Sequence, residues 1–400
     1  MHVRWLLLGL ILAVPASADP LSLRAAVEQA VAHNPSLLAS QAQVAEAEAE
    51  VRQAGLVANP ELGAQLRFPN ERGFVNQSDY SLTFDFLSLG LRPPRQRQAW
   101  VRLEQARARA GQSVVDLQCQ VRQAWYTLAA AQEVAALQQT VATASQGAAD
   151  LAERQYAAGN INELDLQRQR AASGQDQLDL ERDSGDVREA QQHLAVLMGG
   201  GEEATAGPLP DVPVGEPDAP VAQADQRGDV VAARLEAQAL SESRTVARRE
   251  AGWGQIRGGI SAGQEVEGVG LLGPTLQWTL PLFNQNQGEV ARIDAEMGAS
   301  QRQADAASQQ ARHEVQTAWT QLHVAHRLVD MYRTELVPSR EKIVEHGQLY
   351  YNNMQLNVYQ LLADRQALAQ ARQQAILARR DYWMAAAALD RAAGKVYRNE

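Results

Sequence analysis

The stretch Leu272 to Met297, LGPTLQWTLPLFNQNQGEVARIDAEM, changes its period halfway along. From Leu272 to Leu282 the apolar residues Leu272, Leu276, Trp278, Leu280 and Leu282 take alternate positions, with Gly273, Thr275, Gln277 and Thr279 between them. A period of two gives a strand with one oily and one polar face. Past Asn284 and Gly288 the chain becomes rich in Ala and Gln at helical spacing. A strand of membrane type that runs straight into a long polar helix decides the fold.

The same order occurs twice. VRQAWYTL begins at Val121 and VQTAWTQL at Val315, 194 residues later, and Trp125 and Trp319 match at that separation. YAAGNINELDL at Tyr156 and YYNNMQLNVYQ at Tyr350 keep it, as do LTF at Leu82 and LQW at Leu276. Three separated matches in one register indicate a duplicated unit. The Gly- and Pro-rich residues 199–220 read as the linker between a first repeat, 19–198, and a second, 221–394, followed by a tail at 395–400.

In the first repeat a helix is expected to break at Asn34, a cap residue followed by Pro35. Two alternating segments follow, about 60–69 (Leu62, Ala64, Leu66, Phe68) and about 79–87 (Tyr80, Leu82, Phe84, Phe86), joined by NERGFVNQS. A very long helix is then expected from about Pro94 to Ala158. Its seam is Ala99, Leu103, Ala106, Ala110, Val114, Leu117, Val121, Ala124, Leu128, Ala131 and Ala135. A second helix returns over about 162–198. The second repeat has a helix to Gly252, strands at about 255–263 and 272–283, a long helix bent by Pro338, and a return to about Ala393.

Bulk composition narrows the class. The 400 residues are 45% hydrophobic with net charge −10, yet mean hydropathy is −0.34, because much of the apolar share is helical alanine. An acidic chain without a basic run is a poor partner for nucleic acid. Arg4, the apolar run Trp5 to Val14 and Ala16-Ser17-Ala18 form an export signal over residues 1–18, with cleavage expected before Asp19. No later apolar run reaches the ~18–20 residues of a membrane helix. Cys119 stands alone and reads as a small packed residue.

Strands of about ten residues cross a bilayer when tilted. Four strands cannot close, and unpaired edges cannot face lipid. About eight strands make the smallest closed barrel, so other copies must complete it, and three copies supply twelve strands. The helices, too polar for the bilayer, extend into water. The expected fold is an α+β membrane protein with a duplicated unit, four strands per chain in a 12-stranded trimeric barrel, continued by an antiparallel helical coiled-coil tunnel. Leu62, Leu66, Phe68, Leu82, Phe84, Leu276, Trp278 and Leu280 are the candidate lipid-facing residues. The bland alternatives are a β-sandwich bearing a coiled coil and a non-transport envelope scaffold.

The HNPSLLA helix start, NPEL at the first strand, the paired helix tips and the duplication resemble the TolC-like outer membrane efflux proteins over nearly the whole mature chain. LPLFNQNQGEVARIDAE resembles their heavy-metal, CzcC-type branch. The resemblance implies a homotrimer in the outer membrane with a periplasmic extension, docked to a periplasmic adaptor protein and an inner-membrane pump of the RND type. It implies an exit duct for heavy-metal cations. A duct for drugs, small organic compounds or a type I secreted polypeptide is the alternative.

No catalytic constellation and no cofactor motif is visible. Glu46, Glu48 and Glu50 read as solvated charge. His323 and His326 have the i, i+3 spacing of a metal pair, with His313 upstream, but lack an acidic or sulfur partner in the next turn, so they read as scattered helix histidines. At the hairpin tips Gly159 and Asn353 suit a left-handed helix end, while Glu163 and Asp165 suit the first turn of the returning helix. The family resemblance makes these tips the periplasmic gate, with Gly159, Asp165, Asn353, Tyr359 and Asp364 as candidates. Tyr359 occupies the place in the second repeat that Asp165 has in the first, and Asp364 is a displaced acid.

Overall fold

The computed structural model describes residues 20–67, 77–200, 205–217, 224–253, 255–264 and 269–397. Residues 1–18, the expected export signal, and Phe68 lie outside them. In the first repeat α1 (Leu23–His33) and α2 (Pro35–Ala54) lead to β1 (Glu61–Arg67) and β2 (Gln77–Asp85), then to α3 (Phe86–Ala157) and α4 (Glu163–Leu197). In the second, α5 (Gly228–Trp253) leads to β3 (Gln255–Gln264) and β4 (Gly270–Thr279). These feed α6 (Gln287–Met331), a π-helical turn (Tyr332–Leu336), α7 (Val337–Asn352) and α8 (Val358–Ala392). At 1.5 Å per residue α3 is roughly 110 Å long.

The four strands form one antiparallel sheet in chain order. The helices below keep that order, since α2 packs on α3, α3 on α5 and α5 on α6. The protomer is thus a palisade with two open edges, one formed by β1 and α2 and the other by β4 and α6.

Local chemistry sets the element ends. Asn34 accepts from the Ser36 N–H at 3.0 Å and the Leu37 N–H at 3.4 Å, and its own amide donates to the Leu197 carbonyl at 2.8 Å. One residue therefore caps α2 and ties it to the end of α4. Three boundaries differ from the sequence expectation. Phe86 begins α3 instead of ending β2, because Asp85 accepts from the N–H groups of Leu87 and Ser88. The long helix therefore starts eight residues before Pro94, with Pro93 and Pro94 inside it. Pro94 leaves the Gly90 carbonyl without its helical donor, and Arg249 of α5 supplies one at 3.0 Å. At the other junction β4 stops at Thr279, so Leu280 is not a strand residue; Pro281 has no N–H to continue a ladder.

The main core lies midway along the helices, where Val121, Trp125, Tyr126 and Leu128 of α3 meet Ala30, Leu37 and Leu194. The Trp125 indole donates to the Leu21 carbonyl at 2.9 Å. Described residues 205–217 of the Gly/Pro-rich segment are fastened across this girdle. The Leu209 N–H donates to Glu133 at 2.9 Å and the Trp383 indole to the Pro210 carbonyl at 2.9 Å. Leu209 and Val212 are buried.

The separation between repeats changes along the chain. Gly199 sits on His33, and Gly394 sits likewise on Arg227. His33 and Arg227 are 194 apart, but Gly199 and Gly394 are 195 apart. α4 and α8 are also 195 apart at both ends. The extra residue is absorbed in the π turn, where the Val337 N–H donates five residues back to Tyr332. Pro338, at the second position of α7, adds no N–H of its own.

Candidate functional sites: a two-faced sheet and the hairpin tips

Register decides the faces of the sheet. Leu62, Leu82, Ile260 and Pro274 lie abreast, as do Ala64, Tyr80, Ala262 and Leu272. Phe84 and Leu276 flank Gly258, and Ile256 pairs with Trp278. All of these share one face. Leu62 is 80% exposed, Leu276 74% and Trp278 56%, so the most apolar surface of the sheet is uncovered in the single chain. The other face carries Glu61, Thr83 and Thr275 in one row and Ser81 and Ser261 in another. There Arg257 reaches over β2 to Glu61 at 3.1 Å. On that polar side a Cβ at Gly259 would collide with the Leu82 carbonyl, so only glycine allows β3 to lie this close to β2.

The sequence candidates Leu62, Leu66, Leu82, Phe84, Leu276 and Trp278 all fall on the apolar face. Leu280 lies below it, between β4 and α6, where Leu280, Leu282 and Phe283 are exposed. Leu272, on the oily side of the alternation read from sequence, falls on this face as well, while Ile260 of β3 was missed. Glycines interrupt β3, so its alternation is weak.

At the first tip α3 ends on Gly159 with φ +75°, and the Asn160 N–H donates back to the Gln155 carbonyl at 2.8 Å. This is the six-to-one closure of a Schellman turn. Asn162 then caps α4 by accepting from the Asp165 N–H at 2.8 Å. The second tip corrects the sequence expectation. Asn353 has φ −89°, and Met354 takes the left-handed conformation at φ +57°. The Gln355 N–H closes the turn on the Tyr350 carbonyl at 2.8 Å. The turn sits one residue later because the π turn has already shifted the repeat. Asn357 caps α8 as Asn162 caps α4, so Asp165 corresponds to Gln360 and Tyr359 to Leu164.

The tips nevertheless bring Asp165 and Tyr359 together. Burial pushes the Tyr359 phenol up first, and then a hydrogen bond to Asp165 and its charge push it further. Arg168 reaches Asp165 at 3.3 Å. Asp364 is placed differently: it accepts from Gln360 at 3.2 Å and lies beside Gly347 of α7. Each hairpin is also tied across its helices, by Arg170 to Glu153 at 2.8 Å and by Arg365 to Gln348 at 2.6 Å.

The histidines do not converge. His326 is buried, with its ring against Tyr382 and Nε2 3.4 Å from the Pro213 carbonyl; contrary to the sequence reading it does have an acid one turn on, Asp330, 3.4 Å from Nδ1. His323 lies on Trp319 and faces Glu216 at 3.8 Å. Among the described residues no group of three or more His, Cys, Asp or Glu side chains could hold a metal. Among the same residues no helix is long and apolar enough to cross a membrane. Glu48 is not merely solvated, since Arg107 of α3 meets it at 3.1 Å.

Residues 26–200, most of the first repeat, match the family model described as outer membrane efflux protein. No curated protein matches the chain. Among solved structures, the outer membrane protein VceC of Vibrio cholerae is similar at 18% identity and a TM-score of 0.75, over 93% of this chain and 96% of that one. The Campylobacter jejuni CmeC outer membrane channel is similar at 15% and 0.78, over 93% and 85%. The open state of the Neisseria gonorrhoeae MtrE outer membrane channel is similar at 17% and 0.77, over 93% and 89%. At these identities the likeness is one of fold.

Proposed function

We propose that this chain, whose residues 26–200 match the outer membrane efflux protein model, is the outer-membrane exit duct of a tripartite efflux system. The observation that carries the reading is the open four-stranded sheet, apolar on one face and polar on the other, continued by helices too polar for lipid. β1 leads away from the helices and β4 leads back, so β4 of one copy and β1 of the next are antiparallel. Three copies close a 12-stranded barrel with no edge left. Leu62, Leu66, Leu82, Phe84, Leu276 and Trp278 then face lipid, and the row of Glu61, Thr83 and Thr275 faces the lumen. Mild detergent is expected to preserve a species near three times the chain mass of 43.6 kDa, less the export signals. A folded monomer under those conditions refutes the barrel.

The cargo we propose is a heavy-metal cation, on the likeness of Leu280 to Glu296 to the CzcC-type branch. An RND pump and a periplasmic adaptor would deliver it. Increased metal sensitivity of a deletion strain is the expected result, and unchanged metal tolerance with new sensitivity to organic compounds would transfer the duct to that cargo.

The gate we propose is the paired tips. Threefold repetition turns Asp165 into a ring of three carboxylates, which favours cations. Tyr359, bonded to Asp165, holds the second hairpin against the first. Tyr359→Ala is expected to raise the conductance of the purified trimer in planar bilayers. Asp165→Asn is expected to lower cation preference. Unchanged selectivity with a less stable hairpin would leave Asp165 only its favourable place in the first turn of α4.

A further inference from the structure

The two repeats pass from sheet to helix by different routes. In the first, α3 begins at once with Phe86, whose ring covers Gly258 on the apolar face of the sheet. The counterpart of Phe86, 194 residues on, is Leu280, two residues past Trp278 of the same face. There α6 does not begin until Gln287, so residues 280–286 form a loop where the first repeat has about two turns of helix. The loop supports itself. Asn286 has φ +54°, its N–H donates to the Asn284 side chain at 3.0 Å, and the Gln287 amide donates to the Phe283 carbonyl at 3.2 Å.

Between this loop and the end of α5 lies a cleft of about 660 Å³, within the size range of small-ligand sites. On the sheet side it is lined by Leu280, Pro281 and Leu282, and on the helix side by Arg248 of α5, Asp294 of α6 and Gln285 of the loop. Asp294 is already neutralised by Arg244, which donates to it at 3.2 Å. Arg248 is exposed and has no hydrogen bond or ion pair among the described residues. The cleft therefore carries one uncompensated positive charge beside an apolar wall. The fold itself does not ask for that charge. The counterpart of Arg248 is Ala54, and those of Gln285 and Asp294 are Leu91 and Trp100. Leu91 is buried in the first repeat, whereas Gln285 is exposed in the second.

Position and charge together identify the occupant. The cleft lies directly below the apolar rows of the sheet, at the edge of the hydrocarbon layer on the side of the helices. Phe283, beside it, is 92% exposed, as suits an aromatic ring at a membrane interface. A ligand that fits both walls brings an alkyl chain and an anion in one molecule. We propose that the cleft binds an anionic phospholipid from the periplasmic leaflet, with Arg248 holding its phosphodiester and Leu280 and Leu282 lying against the first methylenes of an acyl chain. The site rests on the membrane reading of the sheet and adds a ligand class to it. Because Ala54 replaces the arginine in the first repeat, each chain holds one such site and not two.

Native mass spectrometry of the full chain, purified as a trimer in mild detergent, tests the site with phosphatidylglycerol and phosphatidylcholine of equal chain length. The expected result is one retained phosphatidylglycerol per chain, and weaker retention of phosphatidylcholine, whose choline cancels the phosphate charge. Arg248→Gln is expected to lower the apparent affinity for phosphatidylglycerol about fivefold, the contribution of one basic residue at an anionic membrane surface, and Arg248→Lys to keep it. Arg102→Gln removes a charge from α3 roughly 24 Å beyond Phe86 and is expected to leave retention unchanged. Glycerophosphoglycerol, the headgroup without its chains, is expected not to compete; competition would make the cleft a site for free phosphodiesters and overturn the lipid assignment. Equal retention of the two lipids, or equal losses from Arg248→Gln and Arg102→Gln, would overturn the site and leave the trimer standing. A monomer in the same spectrum would overturn the membrane reading and the site with it.

Discussion

Leu276→Arg is expected to cost about 2–4 kcal/mol when the residue lies near the bilayer midplane, and to abolish recovery of folded trimers from the outer membrane. Leu276 stands on the uncovered apolar face, beside Gly258 and in the row of Phe84. A guanidinium there must leave water without a partner, because its neighbours on that face are aliphatic or aromatic. Gln277→Arg, one residue along and on the opposite face, is expected to change stability far less and to alter ion selectivity instead. Urea or heat unfolding of the reconstituted protein reads the difference. Equal losses at the two positions would reverse the face assignment or remove the segment from the membrane.

The sheet was legible in the sequence because a period of two and a period of 3.6 are hard to confuse. Even so, the reading erred at junctions. Phe86 continues the alternation of β2, and only Asp85 reveals that the helix has begun. Leu280 continues the alternation of β4, yet Pro281 ends the ladder. Both errors have one cause: hydrophobic pattern reports burial or lipid contact, while boundaries follow from hydrogen bonds made by single capping residues. β3 hid its apolar face for a different reason. The close packing of β3 against β2 requires glycine, and glycine carries no pattern.

The tips show a subtler limit. Gly159, Asn162 and the acids beside them could be placed from sequence, and so could the existence of a second tip. The pairing of Asp165 with Tyr359 was suggested by counting 194 residues, and the two side chains do meet. They meet across the tips and not as equivalents, because the count is 195 beyond the π turn. A helix that absorbs one extra residue leaves its amphipathic pattern nearly in phase on both sides. No sequence period marks the event, and Pro338 is the only local sign.

That insertion gives the last expected result. An α-helix turns about 100° per residue, so deleting one residue from a regular stretch swings everything beyond it onto another face. Deleting Thr140 from α3 should do this to Ala142, Ala149 and Ala152, which are buried against the returning helix. The seam of the first hairpin would be lost, at a cost of at least about 4 kcal/mol, the range reached when a packed element is disrupted. Glu335 occupies the corresponding place in the second repeat, 195 residues on, but within the π turn. Its deletion, combined with Pro338→Ala to restore the missing N–H, should close the turn into continuous α-helix and keep α7 in phase with α8. Stability is then expected to change by no more than about 1 kcal/mol, since the change removes a bulge and leaves the seam. Thermal unfolding of the two variants measures the contrast. Comparable damage from both deletions would mean that the π turn is not an absorbed residue, and the 195-residue equivalence of the tips would fall with it. If the Glu335 variant keeps its stability, the hydrogen bond between Tyr359 and Asp165 should survive as well, because both tips remain where the shifted register places them.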